Sequence, residues 1–269
     1  YDRANRRMRS ARAPMVFLCA STLESTRILL SSGTDRSPGG IGSRSNALGA
    51  NLMDHVILSG VGEGGRLPDE PIDNIPGRCV YLPRFDLRHD ADAGVQTGGS
   101  GEREPRFSVQ LHRWSTRPGR SHFVAVSFSE MAPRPDNRVR LDPDRKDAFG
   151  LPVLRIDCRH RETELRQASA QSQAIGELGK LFDIDFIRHD TVPAPPGTAL
   201  HECGTARMGD DPATSVLDPN GQCWDAKGLY VTDGSAFVSQ GLEHPTLTIM
   251  ALTARACQHA LTGSTEVDD

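Results

Sequence analysis

The sequence has no CxxC pair; its six cysteines, at 19, 79, 158, 203, 223 and 257, are scattered. That spacing excludes a zinc knuckle and a disulfide scaffold, and it fits free thiols in a reducing compartment, which slightly favours the cytoplasm. No apolar run approaches the roughly eighteen residues of a spanning helix, and no secretory hydrophobic segment is present. The first residue is Tyr1 rather than Met, so the missing leader leaves localisation unknown. A strong charge of one sign is absent too: the formal net charge of −4 argues against a nucleic-acid partner. Arg3, Arg6, Arg7, Arg9 and Arg12 crowd the start and read as a solvated edge segment. Internal repeats and low-complexity tracts are lacking. What remains is an ordinary globular composition, 37% apolar over 269 residues, enough for one large domain or two modest ones.

The run Met15-Val16-Phe17-Leu18-Cys19 predicts a short strand buried on both faces. Ser21-Thr22-Leu23-Glu24 predicts a capping box opening a helix that carries Leu23, Arg27 and Leu30 and stops at Gly33. Gly39, Gly40 and Gly42 follow as a surface loop rather than a phosphate cradle. Beyond residue 55 the texture becomes alternating. Phe107, Val109 and Leu111 form one period-two set and Val124, Val126 and Phe128 another. Stretches at 139–141 and 154–158 extend an antiparallel sheet with one wet face. Residues 86–105 read as a loop, Pro193-Ala194-Pro195-Pro196-Gly197 as a stiff linker. A helix over Glu162–Phe182 presents Leu165, Ala168, Ser172, Ile175, Leu178 and Phe182. A last helix starts at Pro245, its favoured first position, with a stripe of Leu247, Met250, Ala251, Ala254 and Leu261, and ends at Gly263.

The chemistry concentrates near the C-terminal end. One station is His201-Glu202-Cys203-Gly204-Thr205-Ala206-Arg207-Met208-Gly209; a second is His244-Pro245-Thr246-Leu247-Thr248. Between them lies Leu229-Tyr230-Val231-Thr232-Asp233-Gly234-Ser235. A neutral imidazole suits proton abstraction near pH 7. A histidine at a helix mouth, followed by that helix's free N–H groups, suits stabilisation of developing negative charge.

This order of motifs resembles the glucose–methanol–choline (GMC) family of flavin alcohol oxidoreductases. Leu18-Cys19-Ala20-Ser21-Thr22-Leu23-Glu24-Ser25-Thr26-Arg27 and Asn51-Leu52-Met53-Asp54-His55 extend the resemblance upstream. Pro135-Asp136-Asn137-Arg138 and Gly150-Leu151-Pro152-Val153 extend it through the middle. The resemblance implies His201 as catalytic base and His244 as the second group on the substrate oxygen. It implies that Ala20, Ser21, Asp233, Gly234, Pro245 and Thr246 line the FAD. The HExGTARMG wording with Thr214-Ser215-Val216-Leu217 is similar to the bacterial branch that acts on sugars and polyols. Cys203 stands where an apolar residue is expected and is read as a packing residue.

The implied fold is α/β plus α+β: a partial FAD-binding Rossmann-like domain with an antiparallel-sheet substrate domain inserted. Its expected segments are 1–55, 56–195 and 196–269. A dinucleotide site needs a strand, a GxGxxG turn, a helix and an acidic residue about twenty positions on, and the sequence offers no such unit. The expectation is therefore the C-terminal part of a longer enzyme, binding FAD weakly or not at all alone, and completed by an N-terminal FAD-binding segment. Implied partners are a sugar or polyol and an electron-acceptor subunit, with no membrane span. His55 reads as a loop residue at the domain junction; His112, His122, His160, His189 and His259 read as structural or exposed. A cofactor-free binding or assembly chain is the alternative from another class. A metal hydrolase built on His201 and Cys203 has no further ligand at suitable spacing.

Overall fold

The computed structural model describes all residues except 1–3, 6, 8, 36, 65–78, 86–105, 118–119 and 264–269. The expected loop over 86–105 lies outside the described residues. The architecture is mixed α/β. Strand β1 (Val16–Leu18) runs parallel to β9 (Leu229–Val231), pairing Val16 with Leu229 and Leu18 with Val231. Helix α1 (Thr22–Ser31) follows β1. Strand β1 is not buried on both faces: Val16 is 48% and Phe17 36% exposed, because β9 is its sole neighbour among the described residues. Phe17 instead stacks on Tyr230 across the pair, with ring centroids 5.1 Å apart.

Helix α1 departs from its expected cap and face. Ser21 has φ 72° and makes no side-chain capping bond. The Ala20 N–H is satisfied instead by Ser25 Oγ at 3.0 Å. The buried side is Thr22, Ser25, Thr26 and Leu29, while Leu23, Arg27 and Leu30 are half-buried. A hydroxyl face can be buried only if every hydroxyl is bonded. Thr22 donates to the Glu202 carbonyl, Ser25 to the Asp233 carboxylate, and Thr26 pairs with Thr205 at 2.6 Å. These bonds tie the first helix to the late segment that carries His201. The glycine loop at 39–42 also lies deeper than expected, with Gly40 and Gly42 buried against Leu29 and Val216.

The larger sheet is antiparallel, in order β3 (Cys79–Phe85), β4 (Phe107–Arg117), β5 (Arg120–Ser129), β2 (Val56–Gly64), β8 (Ile184–His189). Helix α2 (Glu162–Phe182) packs across one face, over Val56, Leu58, Leu111, Phe123 and Ala125. Burying a side chain such as Ile175 contributes about 1.5–3 kcal/mol before the entropy of ordering is counted. In β5 the helix-facing set is Phe123, Ala125 and Ser127; Val126 and Phe128 lie on the opposite face with Gln110 and His112. The period-two reading grouped Val126 and Phe128 with the apolar set of β4; they lie instead on its polar face, the one turned toward His201 and His244. In α2 the expected stripe holds at Ala168, Ile175 and Leu178, but Leu165 is 51% exposed. Glu164 is buried in its stead, accepting the Arg161 N–H in the first turn and two hydrogen bonds from Arg134.

The glycine pattern Gly60-x-Gly62-x-x-Gly65 satisfies GxGxxG literally. Gly60 and Gly62, however, sit inside antiparallel β2, where a Cβ on Gly62 would lie 2.4 Å from the Asp185 carbonyl oxygen. The next described element is β3, not a helix. The bare glycine spacing is therefore present, against the sequence reading, with Gly60 and Gly62 in an antiparallel strand and Gly65 outside the described residues.

Strands β6 (Arg138–Lys146) and β7 (Pro152–Asp157) do not extend the larger sheet; they form their own hairpin, which rests on α1. Arg27 fastens it, donating to Asp147 at 2.6 Å and to the Pro152 carbonyl at 2.8 Å. Helix α3 (Thr246–Gly263) begins one residue after Pro245, whose carbonyl accepts the Ile249 N–H. Its buried side is Ala256 and Ala260, with Ile249, Leu252 and Thr253 half-buried, packed toward Tyr230 and Phe237. The expected stripe is the exposed side: Leu247 is 77%, Met250 63% and Leu261 71% accessible. Periodicity finds apolar faces on a helix but does not say which of two a neighbour covers.

Candidate active site

Three imidazoles converge from distant parts of the chain. His55 stands immediately before β2, His201 on the segment after the proline-rich linker, and His244 at the mouth of α3. Ring centroids of His201 and His244 are 4.8 Å apart, and those of His55 and His201 5.0 Å apart at 87°. Phe128, on the outward face of β5, touches all three rings at 5.2–5.7 Å between centroids. Aromatic contacts of this kind fix ring planes without adding a polar group.

The backbone around His201 is held on several sides. The Asp54 carboxylate accepts N–H bonds from Gly197, Ala199 and His201 at 2.7, 3.2 and 3.0 Å. Met53 and Cys203 exchange backbone hydrogen bonds at 2.9 Å each. Gln240 donates to the His201 carbonyl. Leu200, one residue earlier, has φ 59°, an uncommon conformation for a branched side chain. Side chains are held equally well. His55 Nδ1 lies 2.9 Å from His201 Nδ1, and His55 Nε2 lies 3.1 Å from the Gly241 carbonyl. The Gln110 amide nitrogen donates to His244 Nε2 at 2.8 Å, and its carbonyl accepts from His112 Nε2 at 3.2 Å.

The electrostatics favour neutral rings. Burial, with help from His201 and His244, lowers the His55 pKa to about 4. Burial and then His244 lower that of His201, against an opposing pull from Asp54. An uncharged His201 imidazole near neutral pH can accept a proton, which a charged one could not. Cys203 is fully buried and its thiol is pushed far up by desolvation, so it packs rather than attacks.

The other predicted residues fall into two groups. Ala20 and Ser21 meet the Asp233–Gly234 turn through the α1 start; a Cβ on Gly234 would lie 2.7 Å from Thr22 Oγ1 and 2.9 Å from the Glu202 carbonyl oxygen. The Asp233 carboxylate is occupied by Ser25 Oγ, Ser235 N and Ser235 Oγ. Its side chain thus holds the turn, leaving backbone as the part able to meet a ligand. Pro245 and Thr246 sit beside His244 at the start of α3, whose first N–H groups have no intrahelical partner. The run 201–205 links the groups, since Glu202 bonds α1 while His201 faces His55. Sequence reading missed Asp54, Gln110 and Phe128 and placed His55 merely at a junction. Gln110 and Phe128 carried a faint signal, a polar and an aromatic residue on the face of β4 and β5 opposite the core.

Residues 133–253 match the family model described as GMC oxidoreductase. The chain is 28% identical over 263 residues to 2-methyl-1,2-propanediol dehydrogenase of Mycolicibacterium austroafricanum, covering 91% of this chain and 47% of that protein. It is 26% identical to the fructose dehydrogenase large subunit of Gluconobacter japonicus, covering 91% and 46%. The chain thus spans about half the length of these curated relatives. Among solved structures, formate oxidase of Aspergillus oryzae, studied for modification of its FAD, superposes with a TM-score of 0.62 at 15% identity, over 94% of this chain and 55% of that one. That likeness shows the fold. The match to the GMC oxidoreductase model thus spans residues 133–253, and the likeness to these two dehydrogenases extends over 91% of the chain.

Proposed function

We propose that this chain supplies the proton-handling side of an FAD-dependent oxidoreductase that oxidises a CH–OH group of a sugar or polyol. One observation carries the reading: His201 and His244 bring their rings within 4.8 Å, beside the open N-terminus of α3. His201 accepts the hydroxyl proton. His244, whose Nε2 already accepts a bond from Gln110, carries its proton on Nδ1 and has that N–H to hold the substrate oxygen. FAD, when bound, supplies the hydride acceptor.

The residues present fit such a cofactor. Helix α3 offers unpaired N–H groups and partial positive charge for an electron-rich ring, with exposed Leu247 and Met250 in its first turns for an apolar plane. Pro245 and Thr246 at that helix start, with Ala20, Ser21, Asp233 and Gly234, are the residues that would hold it. We assign residues 1–55 and 196–269 to one unit, the parallel β1–β9 pair being its core as part of a Rossmann-like sheet. Residues 56–195 form the substrate unit, built on the antiparallel sheet. The substrate class follows the diol and fructose dehydrogenases among the relatives, and the subunit named in the latter favours a separate electron-accepting partner.

The test uses the chain mixed with FAD, alone and together with the N-terminal half of the Mycolicibacterium diol dehydrogenase. Sugars and polyols are added without oxygen while flavin absorbance is followed. Reduction by at least one alcohol is expected, and His201→Ala should slow it by about 10²–10⁴-fold while FAD stays bound. Flavin that remains oxidised with every alcohol in both arms, or reduction unaltered in His201→Ala, would overturn the reading.

A further inference from the structure

We propose that His55 is a positioning residue that sets the tautomer of His201, holding the proton on His201 Nδ1 so that the Nε2 lone pair is the basic one. The proposal rests on the reading of His201 as the base, but its test is independent of that reading.

The argument is a count of donors and acceptors. A backbone carbonyl only accepts, so the 3.1 Å contact with the Gly241 oxygen requires a proton on His55 Nε2. His55 is 1% exposed, and burial beside two other imidazoles keeps it from taking a second proton near neutrality. A neutral ring protonated on Nε2 has a bare Nδ1. His55 Nδ1 must then accept, and its partner among the described residues is His201 Nδ1 at 2.9 Å, which must donate. The proton on His201 is therefore fixed to Nδ1. Which nitrogen of an imidazole is basic follows from the bond the other one makes. A free histidine side chain prefers the opposite tautomer, with Nε2 protonated, so without His55 the lone pair would mostly be on the wrong nitrogen.

The surroundings make this bond hard to break. Gly241 is itself fastened, its N–H donating to Glu130. Phe128 presses against both rings, which are set at 87° to one another. Asp54, adjacent in sequence, holds the His201 backbone while His55 holds its ring. One dipeptide thus fixes both ends of the same residue.

The experiment reads the tautomer directly, on the full chain without cofactor. Long-range ¹H–¹⁵N correlation spectra of histidine-labelled protein at pH 7 distinguish protonated from bare ring nitrogens, with His201→Gln used to assign the His201 signals. Expected are Nδ1–H on His201 and Nε2–H on His55. His55→Asn places a carbonyl oxygen where Nδ1 was and should preserve the His201 tautomer. His55→Phe keeps ring volume but removes the acceptor and should release His201 to a mixture or to Nε2–H. Should His55→Phe fail to fold, His55→Gln, which retains a donor toward Gly241 but places no acceptor at the Nδ1 position, serves the same purpose. An Nε2–H tautomer on wild-type His201, or Nδ1–H persisting in both acceptor-free variants, would overturn the proposal. In the flavin assay, tautomer loss should lower kcat about 10–100-fold with KM little changed, and His55→Asn should restore most of it. Tautomer loss with full kcat would leave the lock standing and remove His201 as the base.

Discussion

The Asp54 carboxylate accepts the His201 backbone N–H at 3.0 Å and is itself 1% exposed. Its other oxygen takes Gly197 and Ala199, so one side chain closes three backbone donors of the same loop. Asp54→Asn keeps size and shape but turns an NH₂ group toward donors. Hydrogen bonds to a charged acceptor contribute about 1.5–3 kcal/mol each, and an orphaned buried donor costs about as much again. A loss of about 2–4 kcal/mol is expected in urea unfolding, with faster hydrogen exchange at residues 197–201. A change below about 0.5 kcal/mol would mean the loop is held by something else.

His55 makes stability fall in acid over a defined window. Its pKa is about 4 in the folded chain against an ordinary value of 6.5. At pH 7 both states are neutral and the shift contributes nothing. Below 6.5 the unfolded chain takes a proton that the folded one refuses, so stability declines until about pH 4 and then levels. The full loss is about 3 kcal/mol. Comparing urea midpoints from pH 7 to 4 for the parent and His55→Asn should show a shallower slope in the variant; equal slopes would show that other groups carry the acid response. His201, lowered in the same direction, adds to the loss in both proteins.

Glu164 tests a buried charge rather than a buried ring. It is fully buried and accepts from Arg134, Ala132 and Arg161. Burial alone would push its carboxyl up, yet the two backbone N–H groups and Arg134 bring it below the usual value. Its stabilisation is therefore complete above the ordinary glutamate range and lost as pH falls through the lowered value. Removing one partner of a buried pair costs about 3–5 kcal/mol. Glu164→Ala belongs at the low end, because 21% of the Arg134 side chain remains in water. Thermal or urea unfolding at pH 7 reads the loss, which should shrink in strong acid where the parent carboxylate is itself protonated.

Where these groups came together was legible in part. The motifs around His201 and His244 singled out two of the three rings that the fold brings together, because the spacing of polar groups along a turn and helix start is a local property. The extent of helix α2 was readable for the same reason, although its first turn buries Glu164 in place of Leu165. The burial of α1 and α3 was not. Each has more than one face that could be covered, and the side chosen depends on partners outside the helix's own pattern, such as Asp233 for Ser25. Asp54 and His55 were invisible as functional groups for a similar reason: their partners lie at 197–201 and 241, a juxtaposition that no local pattern records.

Gly204 offers a last test of how closely the two halves of the site approach. Its φ is +95°, and a Cβ there would lie 2.4 Å from the Asn51 carbonyl oxygen and 2.6 Å from Met53 Cε. The methionine could swing aside, but the carbonyl belongs to the backbone just before Asp54 and cannot. Gly204→Ala therefore meets two costs, about 1–2 kcal/mol for the left-handed backbone and about 1–3 kcal/mol for the overlap. Gly150 is the control: its φ is +80° and nothing lies within 4 Å of the added carbon. Gly150→Ala should show the backbone cost alone. If overlap is what matters, Gly204→Ala will be clearly the less stable of the two in urea. It should also be the one in which the Met53–Cys203 bonds lengthen and the His201 tautomer becomes mixed, because relief can come only by parting residues 201–205 from 51–55. Equal losses in the two variants would mean that the approach of these segments is looser than their hydrogen bonds imply.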